Sequence, residues 1–398
     1  MRRDVLQPVS AGVIASIVGF ASTFALVLSG LRAVGATEAQ AASGLTALCL
    51  GMAVVGIWLA LRYRLPIAIA WSTPGAALLI SSGPPSGGYA AALGAFAVTG
   101  GLIVLAGLWR TLERWVAAIP VALASAMLAG VLLPVCLAPV RGVVDAPLEI
   151  GPVVLVWALL MRFARPWAVP GALVAAAVVI ALDPAEGSGG SLAPELTLTA
   201  PALDLGALVS LALPLFLVTM ASQNIPGMGV LASFGYRPPL RPALVSTGAA
   251  TAIGAPFGAH AINLAAITAA LMAGPDAHPD PARRWIASAT SGVVYLGFGL
   301  LAGAAATLAT LAPPQLIEAV AGLALVGALA GALTTAMEDA GRREAAIITF
   351  VVSASSVTAL SISSPFWGLV AGLAFLGLQR FRPARPAPQD APRDEARV

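Results

Sequence analysis

Apolar residues fill the chain in long blocks, from Val9 to the region of Leu378, punctuated by short stretches of Arg, Asp, Glu, Pro and Gly. Breaking the sequence at those stretches gives fourteen segments, near residues 9–31, 42–61, 66–82, 89–109, 116–138, 149–164, 167–182, 205–230, 241–254, 256–273, 284–308, 313–335, 344–358 and 363–379. Many approach the roughly 20 residues that an α-helix needs to cross the hydrocarbon of a bilayer. The pattern predicts an all-α polytopic membrane protein of fourteen spans.

Two segments depart from the rest. Pro66 to Ser82 reads PIAIAWSTPGAALLISS, and Gly254 to Ala273 reads GAPFGAHAINLAAITAALMA. Each starts with strand-like or irregular residues, meets Pro or Gly inside apolar sequence, and continues as a helical run of about three turns, too short to span alone. A short, interrupted hydrophobic segment in each half of a chain is the sequence mark of the binding site in an inverted-repeat transporter. Pro74 and Pro256 lie near the same relative position of the two halves. The reading is therefore seven plus seven spans, with short strands and half-helices in the third and tenth.

Composition and charge sharpen this. Of 398 residues, 59% are hydrophobic and 10% charged, with a mean hydropathy of +0.92, which excludes a soluble domain. The chain has no Lys, so its pI of 9.3 comes from 21 Arg and does not signal nucleic acid. With the N-terminus cytoplasmic, fourteen spans place 19 of the 21 arginines on the cytoplasmic side, leaving only Arg32 and Arg141 outside. That bias matches the positive-inside rule and predicts both termini in the cytoplasm. Arg2, Arg3 and Asp4 precede an apolar stretch without a convincing cleavage site, so it reads as the first span rather than a signal peptide. Cys49 and Cys136 read as apolar packing residues, with no disulfide. The Gly/Ser/Pro-rich stretch Asp183 to Asp204 reads as the linker between repeats, and the Pro/Arg-rich tail after Gln379 as disordered.

The candidate chemistry is sparse. Every carboxylate falls in a loop or at a segment end, so the spans offer no Asp or Glu as a proton relay. Apart from the thiols, His260 is the only ionisable group predicted near mid-membrane. It is either a switchable charge in the physiological range or a neutral ring bonded to freed backbone. At the first break, Ser72 or Thr73 resembles an N-cap with Pro74 at the first helical position, which aims backbone N–H groups and a positive dipole end, including Gly75, into the protein. Gln223 and Asn224 are adjacent amides deep in the eighth segment and are either interhelical glue or substrate contacts. Asn263, three residues after His260, is predicted on the same helical face. Ser22 in the first span, and Trp71, Phe257 and Gly258 beside the breaks, complete the candidates. Glu338, Asp339, Arg342, Arg343 and Glu344 read as a solvated loop. The sequence contains no nucleophile–base constellation, P-loop or metal motif, so neither an enzyme nor a cofactor is expected.

AWSTPGAALL, TMASQNIPGMGVL and PFGAHAINLAAITAA, taken together, resemble the bacterial benzoate/proton symporter family, from Leu6 to about Leu378. That family is related to nucleobase/ascorbate and sulfate-type carriers. The resemblance implies a core of spans 1–4 and 8–11 (residues 1–112 and 205–310), a gate of spans 5–7 with the linker and 12–14 (113–204 and 311–379), and a tail over 380–398. It implies strands near Ile67 to Trp71 and Pro256 to His260, with substrate between them. Gln223 and His260 fall near positions where nucleobase carriers use acidic residues. Amides and an imidazole suit an organic anion better than carboxylates would. The expected function is proton symport of benzoate or a similar aromatic carboxylate, with His260 as the coupling group and the carboxylate at the N–H groups following Thr73 and Ala261. The same fold as an uncoupled anion channel or exchanger, or a nucleobase-type symporter, is the alternative. The expected partners are the aromatic acid, protons and the lipid bilayer. A homodimer, as in relatives, is left open.

Overall fold

A computed structural model of the chain describes residues 2–109, 119–182, 193–194, 196–265, 267–310, 312–355, 357, 359 and 364–380. The elements in order are α1 (Arg2–Ala33), α2 (Glu38–Tyr63), β1 (Ile69–Trp71), α3 (Thr73–Ser82), α4 (Gly88–Leu108), α5 (Val121–Cys136), α6 (Ala138–Asp145), α7 (Pro147–Phe163) and α8 (Ala168–Leu182). The second half continues with α9 (Leu205–Ser233), α10 (Leu240–Gly254), β2 (Ile262–Leu264), α11 (Ile267–Ala273), α12 (Trp285–Thr310), α13 (Pro314–Glu338), α14 (Arg343–Ala354) and α15 (Ser364–Arg380). Seven helices among the described residues are long and apolar enough to cross a membrane. Arg110, Arg114, most of the linker and the tail beyond Arg380 lie outside the described residues.

Helices α1–α4 interlock with α9–α12: α2 packs on α12 and α10, α4 on α10, and α1 on α12 and α3. A second group forms around α5, which packs on α13 and α14, with α14 on α15 and α7 on α8. Between membrane helices the driving force is close packing rather than water exclusion, so small residues sit at the crossings. Where α4 meets α10, a Cβ on Gly100 would lie 2.6 Å from the Gly248 carbonyl, and one on Gly248 2.7 Å from that of Gly100.

The two interrupted segments meet. β1 and β2 pair antiparallel with Ala70 opposite Asn263, and the ladder is extended by Ser72 N–H to Ala261 O (3.0 Å) and Ala265 N–H to Ala68 O (2.8 Å). Hydrocarbon offers a strand no water, so the outward-facing N–H groups of β2 need side-chain acceptors. Asn224 Oδ1 accepts from Leu264 N–H (3.0 Å), and Thr251 Oγ1 accepts from Ile262 N–H (2.8 Å).

Three expectations are corrected. The second strand lies at Ile262–Leu264 and not at Pro256 to His260, because α10 runs on to Gly254 and the chain needs a one-turn 3₁₀ reversal, Ala255–Phe257, before it can descend. The second half-helix therefore begins near Ile267, so the N–H of Ala261 does not belong to a helix start. The chain between Asp145 and the fifth segment, expected as a loop, folds into α6, whose polar Arg141 and Asp145 lie four residues apart on one face.

Gly258 is the pivot of that reversal. Its φ is +99°, and a Cβ there would sit 2.8 Å from Gly44 Cα and 2.7 Å from Tyr89 Oη. Gly258→Ala is expected to lose at least ~1 kcal/mol through the left-handed backbone alone. A thermal melt of the detergent-solubilised protein tests this, and an unchanged midpoint would refute the assignment.

Candidate functional site

The polar centre of the molecule forms where the β1–β2 pair meets the start of α3 and the middle of α9. Ser72 caps α3: its Oγ accepts from Gly75 N–H (3.0 Å), and its carbonyl accepts from Ala76 N–H (2.9 Å). Pro74 carries no N–H, so among the described residues the first turn of α3 keeps one uncommitted backbone donor, that of Thr73. Any Cβ on Gly75 would lie 2.6 Å from Leu215 and 2.8 Å from Ser72 Oγ, so this glycine allows α9 to approach the cap. With Ser72 as the N-cap, Thr73 is the first helical residue and Pro74 the second.

The approach of α9 brings in a residue the sequence reading missed. Thr219 Oγ1 donates to Ser72 Oγ (2.8 Å) and is fully buried. Its signal was its spacing: it precedes Gln223 by four residues, hence one turn up the same face. Gln223 is 6% exposed and makes no hydrogen bond among the described residues. Both residues border a π-helical turn, Met220–Asn224, which ends two residues before Pro226; a first π turn, Leu208–Ala212, ends two residues before Pro214. Proline removes an N–H that would have closed the normal ladder, so the preceding turn widens. The widening turns Gln223 and Asn224 inward together, where Asn224 meets the β2 edge and donates Nδ2–H to Met220 Sδ (3.2 Å).

His260 is fully buried, and its Nε2 lies 3.0 Å from the carbonyl oxygen of Ser72. A carbonyl only accepts, so Nε2 carries the proton and in the neutral ring Nδ1 holds the lone pair. Nδ1 has no partner among the described residues, and the ring stands edge-on to Phe96 at 6.3 Å. Asn263 is equally buried; its Nδ2–H reaches Leu264 O (2.8 Å) and its Oδ1 has no partner among the described residues. The two residues do not share a helical face as expected, because residues 259–261 are not helical and Asn263 lies in the strand Ile262–Leu264.

Trp71 closes one wall. Its indole N–H donates to Thr23 Oγ1 (2.9 Å), and its ring lies 5.8 Å from Phe20 and 6.1 Å from Tyr295. Thr23 and Ser22 both return hydrogen bonds to Gly19 O, so Ser22 is placed on α1 near this wall, with its hydroxyl already engaged. Phe257 is held through its backbone. It lies in the 3₁₀ reversal, where its carbonyl accepts from Ser43 Oγ (2.8 Å) at the start of α2.

No aspartate or glutamate is buried among the described residues. The centre therefore presents a helix start, hydroxyls, amides and an imidazole, an arrangement that favours an anion over a cation.

The comparisons agree with this chemistry. The family described as benzoate membrane transport protein matches residues 5–378. An inner membrane protein of Escherichia coli (strain K12), YdcO, is 40% identical over 364 residues, covering 91% of this chain and 93% of the relative. The benzoate membrane transport protein of Acinetobacter baylyi is 30% identical over 372 residues, covering 92% and 94%. Among solved structures, SLC26A9 superposes with a TM-score of 0.63 at 12% identity, over 95% of this chain and 65% of that one. The transmembrane domain of the cyanobacterial bicarbonate transporter BicA gives 0.57 at 16%, over 94% and 98%. At such identities the likeness concerns the fold. The chain is a multi-pass membrane transporter, not an enzyme, and belongs to the benzoate membrane transport protein family.

Proposed function

We propose that this transporter imports benzoate, or a similar aromatic carboxylate, together with a proton. The observation that carries the reading is His260, a buried imidazole fixed through Nε2–H to the carbonyl of the residue that caps α3, with Nδ1 unpartnered. Because Nε2 is already protonated, the transported proton binds at Nδ1. The imidazolium so formed and an incoming carboxylate each lower the desolvation cost of the other in the bilayer interior. The carboxylate takes the Thr73 N–H, the Ser72 hydroxyl and the amide N–H of Gln223. The ring rests against Trp71. Asn224, Thr219 and Thr251 position these groups.

Fourteen spans in two inverted repeats of seven, with both termini cytoplasmic, are supported by the sorting of the arginines and by the match of each predicted segment to a helical or half-helical element. Helices α1–α4 and α9–α12 move as a core against a gate of α5–α8 and α13–α15, carrying the site across. Support comes from the packing, which is interlocked within each group. The substrate's name comes from the Acinetobacter relative and the family, and a homodimer is part of the same reading.

Uptake of radiolabelled benzoate into proteoliposomes tests this. Accumulation above the external concentration is expected with an inward proton gradient and not without one. Equal uptake in both conditions would make the protein an uncoupled anion pathway. Absence of uptake by folded protein would remove the substrate.

A further inference from the structure

Of the two arginines that the sequence places apart from the cytoplasmic clusters, Arg32 is ion-paired with Glu38. Arg141, on α6, has neither a hydrogen-bond nor an ion-pair partner among the described residues. Arg141 lines a cavity of about 310 Å³ at the end of the molecule where α1, α3 and α5 finish and α13 begins. Ser29, Ser81 and Gln315 add hydrogen-bonding groups to the same cavity, and Ile80 and Val135 give it an apolar wall. A volume of this order suits a small ligand, and a planar guanidinium beside apolar surface suits a carboxylate attached to a hydrophobic ring.

Two features tie the cavity to transport. Its lining comes from both helix groups, α1 and α3 on one side and α5, α6 and α13 on the other. It also meets the last turn of α3, the helix whose first residue follows the Ser72 cap, and nine residues of helix separate Ser81 from Ser72 by roughly 13 Å. Asp145 and Glu318 line the cavity too, without pairing with Arg141. Their charges oppose an anion, so binding here is weak and readily reversed, as a passage toward a deeper site requires.

We infer that this cavity is an outer capture site for the aromatic carboxylate, with Arg141 as its anchor and Glu318 weakening its grip. The inference rests on the import reading above for the direction of travel, but its test does not depend on transport. The purified protein is treated with phenylglyoxal, and the adduct at Arg141 is followed by mass spectrometry with sodium benzoate or sodium chloride present. Benzoate is expected to slow modification of Arg141 several-fold, and chloride at equal concentration to leave it unchanged. An equal rate with and without benzoate, or equal protection by chloride, overturns the proposal.

In proteoliposomes, Arg141→Gln is expected to raise the KM for benzoate about tenfold with little change in kcat, and Glu318→Gln to lower KM. Unchanged KM in both variants would likewise overturn it. Protection of Arg141 without any uptake would instead count against the import reading and leave the capture site standing.

Discussion

Proteoliposomes carrying His260→Gln are expected to lose proton-driven accumulation of benzoate while keeping exchange of benzoate across the membrane. Glutamine retains an N–H that can reach the Ser72 carbonyl, so the helix cap stays anchored, but it cannot take up a second proton. With one proton per anion, a tenfold proton ratio drives at most about tenfold accumulation, equivalent to ~1.4 kcal/mol, and in the variant the ratio should fall to unity. His260→Ala removes the anchor as well, so it should lose exchange in addition. Full accumulation by His260→Gln would refute coupling through this ring and place the proton on the substrate itself.

The second large effect is on stability. Asn224→Leu should leave the Leu264 N–H of β2 without an acceptor in a region water does not reach. An unsatisfied buried donor costs about 1–3 kcal/mol, and the upper end applies where the surroundings are hydrocarbon. The expected result is a clear fall in the thermal midpoint together with loss of uptake, since the strand positions both His260 and Asn263. Asn224→Asp, which keeps an oxygen at the same place, should recover part of the midpoint. A leucine variant as stable as the parent would show that another group satisfies β2.

The helical segments were legible because a bilayer demands long apolar runs, and arginine, proline and glycine end them. The first break was equally plain: Ser72 followed by Thr73, Pro74 and Gly75 is a helix start in any context. The second was misplaced because a three-residue strand, INL, is too short for periodicity to separate from helix. The turn at Gly258, whose positive φ ends the descent from α10, had no signal beyond glycine itself. His260 stood out as the lone titratable group, yet its partner is a backbone carbonyl, and backbone acceptors leave no trace in side-chain patterns. Thr219 and Thr251 were hidden for another reason: threonines in membrane helices usually bond their own helix, and only the approach of a strand or a cap shows which ones do more.

The pairing of β1 with β2 also sets the order in which the protein can be made. Ser72 and His260 are 188 residues apart, so when the first half of the chain enters the membrane its short strand faces hydrocarbon with one edge bare. Contacts of such sequence separation form slowly, because the loop between them must close before they give anything back. The first half therefore waits, incompletely bonded, until α9 and α10 arrive with Asn224 and Thr251 to cover the far edge of β2. Biogenesis and transport thus depend on the same few hydrogen bonds, and a variant that weakens them should first appear as a failure of insertion and yield, before any defect in turnover can be measured.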